Sequence, residues 1–245
     1  MKIKKHHNLS LLKWFIGLFL LIFNITSSTA DELTLQAFDA NYSLHIAGLH
    51  VGYSTLSLSQ SGNLWRWQTS SEPRGVYSLL TNKKPYSETR FLLDDGRHLI
   101  QNLLISDEGD NNLYETAHFN WQKNQAKVLR KKVTSTASLS GDVYDYQSIN
   151  WLVANMMKTE KTEIEVSFYM KGAIVKSVVK QIDDKNIEMA GQKISAWVYE
   201  LTTANSSSKL IYYFNPAKPL LPLKIEKIKP GKKTAILLLK SATWH

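Results

Sequence analysis

Hydrophobic and polar residues alternate with a period of two along most of this chain. The alternation is clearest at residues 38–46, where apolar side chains occupy the even positions and polar ones the odd positions. Such alternation puts one set of side chains on each face of a strand and predicts a half-buried β-strand. Gly48 follows in a turn, and residues 51–59 form a second alternating segment. Together they predict an amino-terminal β-hairpin.

Similar short segments recur as far as the carboxyl end, separated by turn residues such as Asp94-Asp95-Gly96. This spacing is typical of a β-sandwich or a β-barrel. A weak helical turn is predicted at residues 73–80. No internal repeat or linker interrupts the pattern, so we expect one β-rich domain over residues 31–245. The further predicted strands are 64–70, 86–93, 99–106, 113–121, 126–133, 163–170, 174–181, 185–190, 193–203, 209–215, 221–229 and 234–240.

One segment does not follow the period of two. Between Asp145 and Met157, apolar residues such as Ile149, Leu152 and Met156 recur at helical spacing, behind an acidic residue that can cap a helix. We therefore predict an all-β, mainly antiparallel fold, as a barrel or an open curved sheet with one central helix packed on it. A two-sheet β-sandwich is the alternative.

The amino terminus carries an export pattern. A basic stretch leads into an apolar run from Trp14 to Ile25 and then a short polar tail that ends at Ala30. This order predicts a signal peptide over residues 1–30 with cleavage after Ala30, and hence a periplasmic protein of a Gram-negative envelope. An uncleaved inner-membrane anchor is the alternative, although the run is shorter than the roughly 20 residues that span a bilayer.

The amino-acid composition excludes several kinds of site and limits the possible partners. The chain has no cysteine, which excludes disulfides, thiol nucleophiles and thiolate metal sites. Its formal charge of +9 includes four lysines of the signal peptide, which leaves a modest excess of about five on the mature chain. An exported protein is not expected to bind nucleic acid. A lysine-rich hairpin could contact anionic lipid or guard a strand edge, and its lysines are Lys224, Lys227, Lys229, Lys232 and Lys233.

Several local patterns, in one order along residues 38–240, resemble the bacterial family known as domain of unknown function 3108. They are Phe38-Asp39-Ala40-Asn41-Tyr42 with Gly48 and Val51-Gly52-Tyr53, then Glu88-Thr89-Arg90-Phe91 with Asp95-Gly96, Phe119-Asn120-Trp121 with Val128, Asp145 with Ser148, and Pro216, Pro222-Leu223-Lys224-Ile225 and Gly231. Asn120 stands where the family pattern has an acid. The resemblance implies an exported, β-rich protein and brings no catalytic residues with it.

The sequence shows no catalytic or cofactor-binding motif. The histidines lack zinc-site spacing, and no Gly-x-Ser-x-Gly or Ser-x-x-Lys element is present, so we predict no catalytic residue, metal or cofactor. The acidic run at residues 107–112 has oxygen ligands that could attract calcium, but it lacks the later glutamate of an EF-hand and is better explained as a turn.

Aromatic residues give the remaining functional signal. A tryptophan-rich β-protein can line a cavity for an apolar ligand, although the same rings can fill an ordinary core. We therefore predict a non-enzymatic protein that binds or carries an apolar or amphipathic envelope molecule. An envelope scaffold that acts through protein contacts is the alternative, and a cell-wall enzyme is a third possibility. The candidate lining residues are Trp65, Trp67, Trp121, Trp151, Trp197 and Tyr199.

Overall fold

The alternating segments form one fifteen-stranded sheet. The computed structural model describes residues 34–107, 114–204 and 206–245, so the predicted signal peptide and its cleavage site lie outside the described residues. The strands are β1 (Phe38–Ile46), β2 (Leu49–Ser61), β3 (Leu64–Pro73), β4 (Pro85–Asp94), β5 (Arg97–Asp107), β6 (Glu115–Asn120), β7 (Gln125–Arg130), β8 (Val133–Ser138), β9 (Val143–Tyr144), β10 (Glu163–Met170), β11 (Ala173–Met189), β12 (Gln192–Thr203), β13 (Lys209–Phe214), β14 (Pro222–Lys229) and β15 (Lys232–Trp244).

Sequence neighbours pair along almost the whole sheet. The order is β8-β7-β6-β5-β4-β3-β2-β1-β15-β14-β13-β12-β11-β10-β9, so the first and last strands meet in the middle, with Phe38 opposite Trp244. All pairs are antiparallel except β9 with β10. The structure confirms the all-β, mainly antiparallel prediction, in its open-sheet form.

The sheet curls until its two halves meet across the interior. Edge strand β9 approaches β5, and edge strand β8 approaches β11. The Tyr169 hydroxyl of β10 donates to Glu115 Oε1 of β6 at 2.7 Å, and the Ser167 hydroxyl donates to the Ser140 carbonyl at 2.8 Å. The Tyr169 contact joins two strands that are far apart in the sheet order, and the Ser167 contact holds the β8–β9 connection against β10, so the concave face becomes an enclosed interior.

A single α-helix of the described residues, α1 (Ile149–Lys158), lies within this interior. Ile149, Trp151, Val153 and Met156 are each at most 2% exposed and pack in one cluster with strand residues such as Phe38. The sequence predicted a single apolar stripe, but the helix is surrounded by the sheet and is buried on most of its circumference. A helix that is apolar on all sides is typical of such a core position.

The helix begins at Ile149, four residues later than predicted, because residues 146–148 form a turn that Asp145 holds in front of the helix. Asp145 Oδ1 accepts the backbone N–H groups of Gln147 at 3.0 Å and Ser148 at 2.7 Å. In return, the Ser148 hydroxyl oxygen accepts the backbone N–H of Asp145 at 2.7 Å. This reciprocal arrangement satisfies donors at the helix start, as a capping box does.

Two predicted strands are joined into one, and the predicted helical turn is present. Residues 174–181 and 185–190 form the single strand β11, whose register with β12 shifts between Gln181 and Asp183. Such a shift is a bulge, which bends a strand without ending it. The helical turn predicted at residues 73–80 is a 3₁₀ helix at Gly75–Leu79, in the connection between β3 and β4.

His98 is an unusual member of the core. Its ring is fully buried and stacks on Phe91, with ring centroids 4.0 Å apart. Neither ring nitrogen has a hydrogen-bond partner among the described residues. Burial lowers the pKa of His98 to about 3. The imidazole is therefore neutral at physiological pH and contributes to the core as an aromatic ring.

This burial predicts a specific acid sensitivity. Between about pH 6.5 and pH 3 the unfolded chain takes up a proton that folded His98 excludes, so stability falls as the pH falls. In His98→Phe, the loss of unfolding free energy between about pH 7 and pH 4 should be smaller by about 2–3 kcal/mol. Urea unfolding at several pH values measures it. His118→Phe removes an exposed histidine and is the control; equal acid slopes for wild type and His98→Phe would contradict the prediction.

Candidate functional site

The interior is incompletely filled at one end of the sheet. We call this the open end; it is where β1 meets β2, β3 meets β4 and β14 meets β15. At the opposite, closed end, Phe38 packs against Trp67 and Trp244 with ring centroids 5.8 and 4.9 Å away. At the open end, two neighbouring cavities of about 290 Å³ each lie beside the start of α1.

The residues of β2, β3 and β4 explain why the space exists. At the closed end their inward positions hold large side chains, which are Leu58, Trp67 and Phe91. Towards the open end, the inward positions of the same strands hold short hydroxyl side chains, which are Ser54, Thr69, Ser71 and Ser87. The sheet keeps its backbone spacing while its side chains shorten, so a cavity remains where the large residues end.

The first cavity has mainly apolar walls. Its lining residues are Tyr42, Leu44, Ser54, Leu56, Thr69, Ser87, Tyr146, Gln147, Asn150, Leu210, Tyr212, Ile225, Lys227, Ala235 and Leu237. The Tyr42 hydroxyl donates to the Pro222 carbonyl at 2.8 Å. Burial raises the pKa of both Tyr42 and Tyr212, so these phenols stay neutral. Lys227 is exposed and brings a positive charge to the edge of this apolar space.

The second cavity lies on the other side of Tyr146 and Gln147. Its lining residues are Thr69, Ser71, Pro85, Tyr86, Ser87, Thr89, Leu103, Ile105, Asp145, Tyr146, Gln147, Tyr169, Met170 and Lys171. Burial, and next the hydrogen bond to Glu115, raise the pKa of Tyr169. The Arg130 Nε lies 2.7 Å from Glu115 Oε2, so the carboxylate that accepts the Tyr169 hydrogen bond is neutralised by an ion pair.

Gln147 anchors the partition between the cavities. Its Nε2 donates to Thr69 Oγ1 at 3.0 Å and to the Ser87 carbonyl at 3.1 Å. Its Oε1 lies 2.7 Å from the Thr89 hydroxyl, which also contacts Asp145 Oδ2 within hydrogen-bonding distance. The Tyr146 ring packs edge-on to Phe168, with centroids 5.1 Å apart. The partition is thus fixed by contacts from both the strands and the helix cap.

Asn150 differs from these satisfied groups. It is 2% exposed and lies in the first turn of α1, where it lines the first cavity. Its side-chain oxygen has no hydrogen-bond partner among the described residues. A buried amide oxygen without a partner is costly, and it is most simply explained by a water or ligand that donates to it. Asn150 is therefore the polar group best placed to orient a bound molecule.

The carboxylate beside the cavities has a structural role. The Asp145 carboxylate accepts two backbone N–H groups and contacts the Thr89 hydroxyl, so it is engaged in holding the helix. Within residues 34–107, 114–204 and 206–245, no group of three or more metal-ligating side chains is close enough to hold an ion. Of the acidic run at 107–112, Asp107 ends β5 and the rest lies outside the described residues.

The six aromatic residues that sequence analysis proposed as cavity lining do not line either cavity. Trp65, Trp67, Trp151 and Tyr199 are buried in the main core cluster, and Trp197 is partly buried against it. Trp121 packs against a separate group of buried residues that includes Phe119 and Tyr169, and it donates its indole N–H to the Ile100 carbonyl at 2.7 Å. The walls of the first cavity come instead from Leu, Ile and Tyr residues of β1, β2, β13, β14 and β15.

The lysines of the β14–β15 hairpin separate into two groups. Lys224 pairs with Glu226 at 2.6 Å and lies over the Tyr213 ring at 4.9 Å, within a small apolar cluster away from the cavities. Lys227, Lys229 and Lys232 are exposed at the open end. The side chain of Lys233 lies outside the described set.

Comparisons with known proteins agree with this fold and leave the activity open. The sequence model of the family described as "Protein of unknown function (DUF3108)" matches residues 41–237, which confirms the family resemblance. A crystal structure of a β-barrel-like protein of domain of unknown function DUF1849 from Brucella abortus is similar, with a TM-score of 0.57. The two are 9% identical, over 87% of this chain and 99% of that chain, so the likeness concerns the fold alone. No curated protein matches this chain.

The Asp145 cap predicts a large effect of one substitution on stability. Asp145→Ala removes the acceptor of two backbone N–H groups and the partner of Thr89, and it should lower the unfolding free energy by about 2–3 kcal/mol. Urea unfolding at neutral pH measures the loss. The control is Asp142→Ala, which breaks a more exposed pair with Arg97 and should cost at most about 1 kcal/mol. If the two variants lost equal stability, the capping role would be refuted.

Proposed function

This chain belongs to the family described as "Protein of unknown function (DUF3108)", and we propose that it is a non-enzymatic exported protein that binds an apolar or amphipathic molecule of the cell envelope. The observation that carries the proposal is the change from large to small inward side chains in β2, β3 and β4, which leaves open apolar cavities beside α1. The export pattern of residues 1–30 supports a periplasmic location.

The first cavity suits an apolar chain. Leu44, Leu56, Ile225 and Leu237 converge on it from four strands. Each cavity is close to the lower end of the roughly 300–1,000 Å³ typical of small-molecule sites. Apolar walls that face water favour any ligand that covers them, by about 25 cal/mol per Å². An extended acyl or isoprenoid chain meets this requirement.

Polar groups at two depths favour an amphipathic ligand over a purely apolar one. Asn150 offers an unpartnered amide oxygen deep in the first cavity. Lys227 adds a cation at the rim. A ligand with a hydrogen-bonding group near Asn150 and an anionic group near Lys227 would satisfy both. A few convergent polar groups in an apolar pocket are the usual pattern of a small-molecule site.

The scaffold function is supported by a different feature, the edge strand β8. Its residues are mostly exposed, Val133 to 67%, and only one side of the strand pairs within the sheet. Such an edge can accept a strand from another protein. However, Lys131 and Lys132 immediately precede β8, and lysines at an edge oppose such pairing. The cavities therefore favour ligand binding as the main function.

Filling the cavity tests the proposal directly. Ala235 lines the first cavity from β15, so Ala235→Trp should place a ring in the space and weaken the binding of a fluorescent fatty-acid probe at least tenfold, about 1.4 kcal/mol. Native mass spectrometry of gently purified wild type should also show an adduct that the variant lacks. Ala242→Trp, at an exposed position of the same strand, is the matched control. Equal probe affinities, or no binding of fatty-acid and lysophospholipid probes by wild type, would refute the proposal.

Asn150 gives a second test, in which stability and binding move in opposite directions. Asn150→Leu removes a buried amide oxygen that has no partner among the described residues and should raise the unfolding free energy by about 1 kcal/mol. The same change should weaken the binding of a lysophospholipid probe, whose polar atoms need the amide, while leaving a hydrocarbon probe such as diphenylhexatriene bound as before. Titration of both probes, with urea unfolding, distinguishes the outcomes. Parallel losses for both probes would show that Asn150 does not orient a polar group.

A further inference from the structure

We propose that the open end of the sheet docks on the surface of an anionic phospholipid bilayer, with the connection between β3 and β4 inserted among the lipid headgroups. Four features of the described residues support this docking surface. They are an exposed apolar segment, an uneven distribution of charge between the two ends of the sheet, the position of both at the cavity edge, and the absence of a structural role for the apolar side chains.

The apolar segment is the 3₁₀ helix and the residue that follows it. Val76, Leu79 and Leu80 are 80%, 83% and 78% exposed, and no residue of the Gly75–Leu79 helix is buried. Leu49, at the start of β2, is 72% exposed at the same end of the sheet. Single exposed leucines are ordinary, but several within one short connection indicate a contact surface.

The charges distinguish the two ends of the sheet. In the connections at the open end, basic residues outnumber acidic ones: the sequence between β5 and β6 has Glu108 and Asp110, and the basic residues of the other connections are Arg74, Lys83, Lys84, Lys131, Lys132 and Lys171. Connections at the closed end hold acidic and basic residues in balance, with Asp95, Asp142 and Glu160 beside Lys123, Lys161 and Lys218. Lys229 and Lys232 add to the excess at the open end, while Glu72 and Asp107 at its strand ends reduce it.

Apolar side chains surrounded by lysines are the combination that binds an anionic membrane interface. The apolar groups enter the boundary between headgroups and acyl chains, and the lysines are attracted to anionic headgroups. A protein partner would require the apolar residues to fit pockets of matching shape, whereas a bilayer accepts them in the open, protruding arrangement that the structure shows.

The docking surface also borders the cavities. Lys227 lines the first cavity and Lys171 the second, so both cavities reach the basic edge of the open end. Because the cavities are continuous with the docking surface, an amphipathic ligand can pass between the bilayer and the cavity without crossing bulk water. This step rests on the proposed function. The docking itself does not depend on that ligand.

Vesicle binding tests the docking. Wild-type protein should cosediment with vesicles of phosphatidylcholine mixed with phosphatidylglycerol, and only weakly with phosphatidylcholine alone. The double variant Leu79→Ser/Leu80→Ser should bind the mixed vesicles at least tenfold more weakly, with an unchanged melting temperature because both side chains are exposed. Lys229→Gln/Lys232→Gln should also bind more weakly and depend less on salt.

Matched controls come from other parts of the sheet. Ile182→Ser removes an exposed apolar residue of β11, and Lys123→Gln/Lys161→Gln removes two exposed lysines of the closed end. Both should bind vesicles as wild type does. In Leu79→Trp, added vesicles should shift the emission of the new indole to the blue, and brominated phospholipid should quench it beyond the response of the native tryptophans.

The proposal would be overturned by no binding to mixed vesicles, by equal binding of Leu79→Ser/Leu80→Ser and wild type, or by unchanged Leu79→Trp emission. Specific crosslinking of residue 79 to one protein in place of vesicle binding would overturn it in favour of a protein partner. Ala235→Trp separates this proposal from the function above, because it should bind vesicles normally. Vesicle binding without probe binding would leave docking intact and remove only the carrier function.

Discussion

The burial of α1 against the concave face of the sheet is the constraint on which the rest of the structure depends. A sheet of fifteen strands that curls on itself presents an apolar inner face that must be covered. Here one helix does so, and it is surrounded by strands instead of lying across an edge. Because α1 has only ten residues, it fills only part of the interior. The closed end and the open end differ because the helix is shorter than the interior that surrounds it.

The cap of the helix determines where the filled region stops. Asp145 holds the first backbone donors of the helix, and Thr89 connects that cap to the middle of β4. Gln147, two residues further, is bound to β3 and β4 and forms the partition between the cavities. The same short segment therefore starts the helix, ties it to the sheet and shapes the space beyond it. The proposed binding function and the stability of the fold therefore depend on the same hydrogen bonds.

Alternation along the chain was enough to predict most of the sheet, because one face of nearly every strand is buried. It failed at β8, whose sequence Val133–Ser138 is mostly serine and threonine and is exposed on both faces. It also divided β11, because a bulge near Ile182 shifts the period by one residue. Neither feature leaves a period-two signal, since the first lacks a buried face and the second interrupts it.

The cavities were harder to predict than the strands. The signal was present in the sequence as the change from Leu58, Trp67 and Phe91 to serine and threonine on the same parity. However, it becomes visible only when the register places Leu56 opposite Thr69, and Thr69 opposite Ser87, in one row. The tryptophans were predicted to line a cavity, yet large rings fill space and therefore mark the solid part of an interior. In a curled sheet around a short helix, the short inward side chains indicate where a ligand can enter.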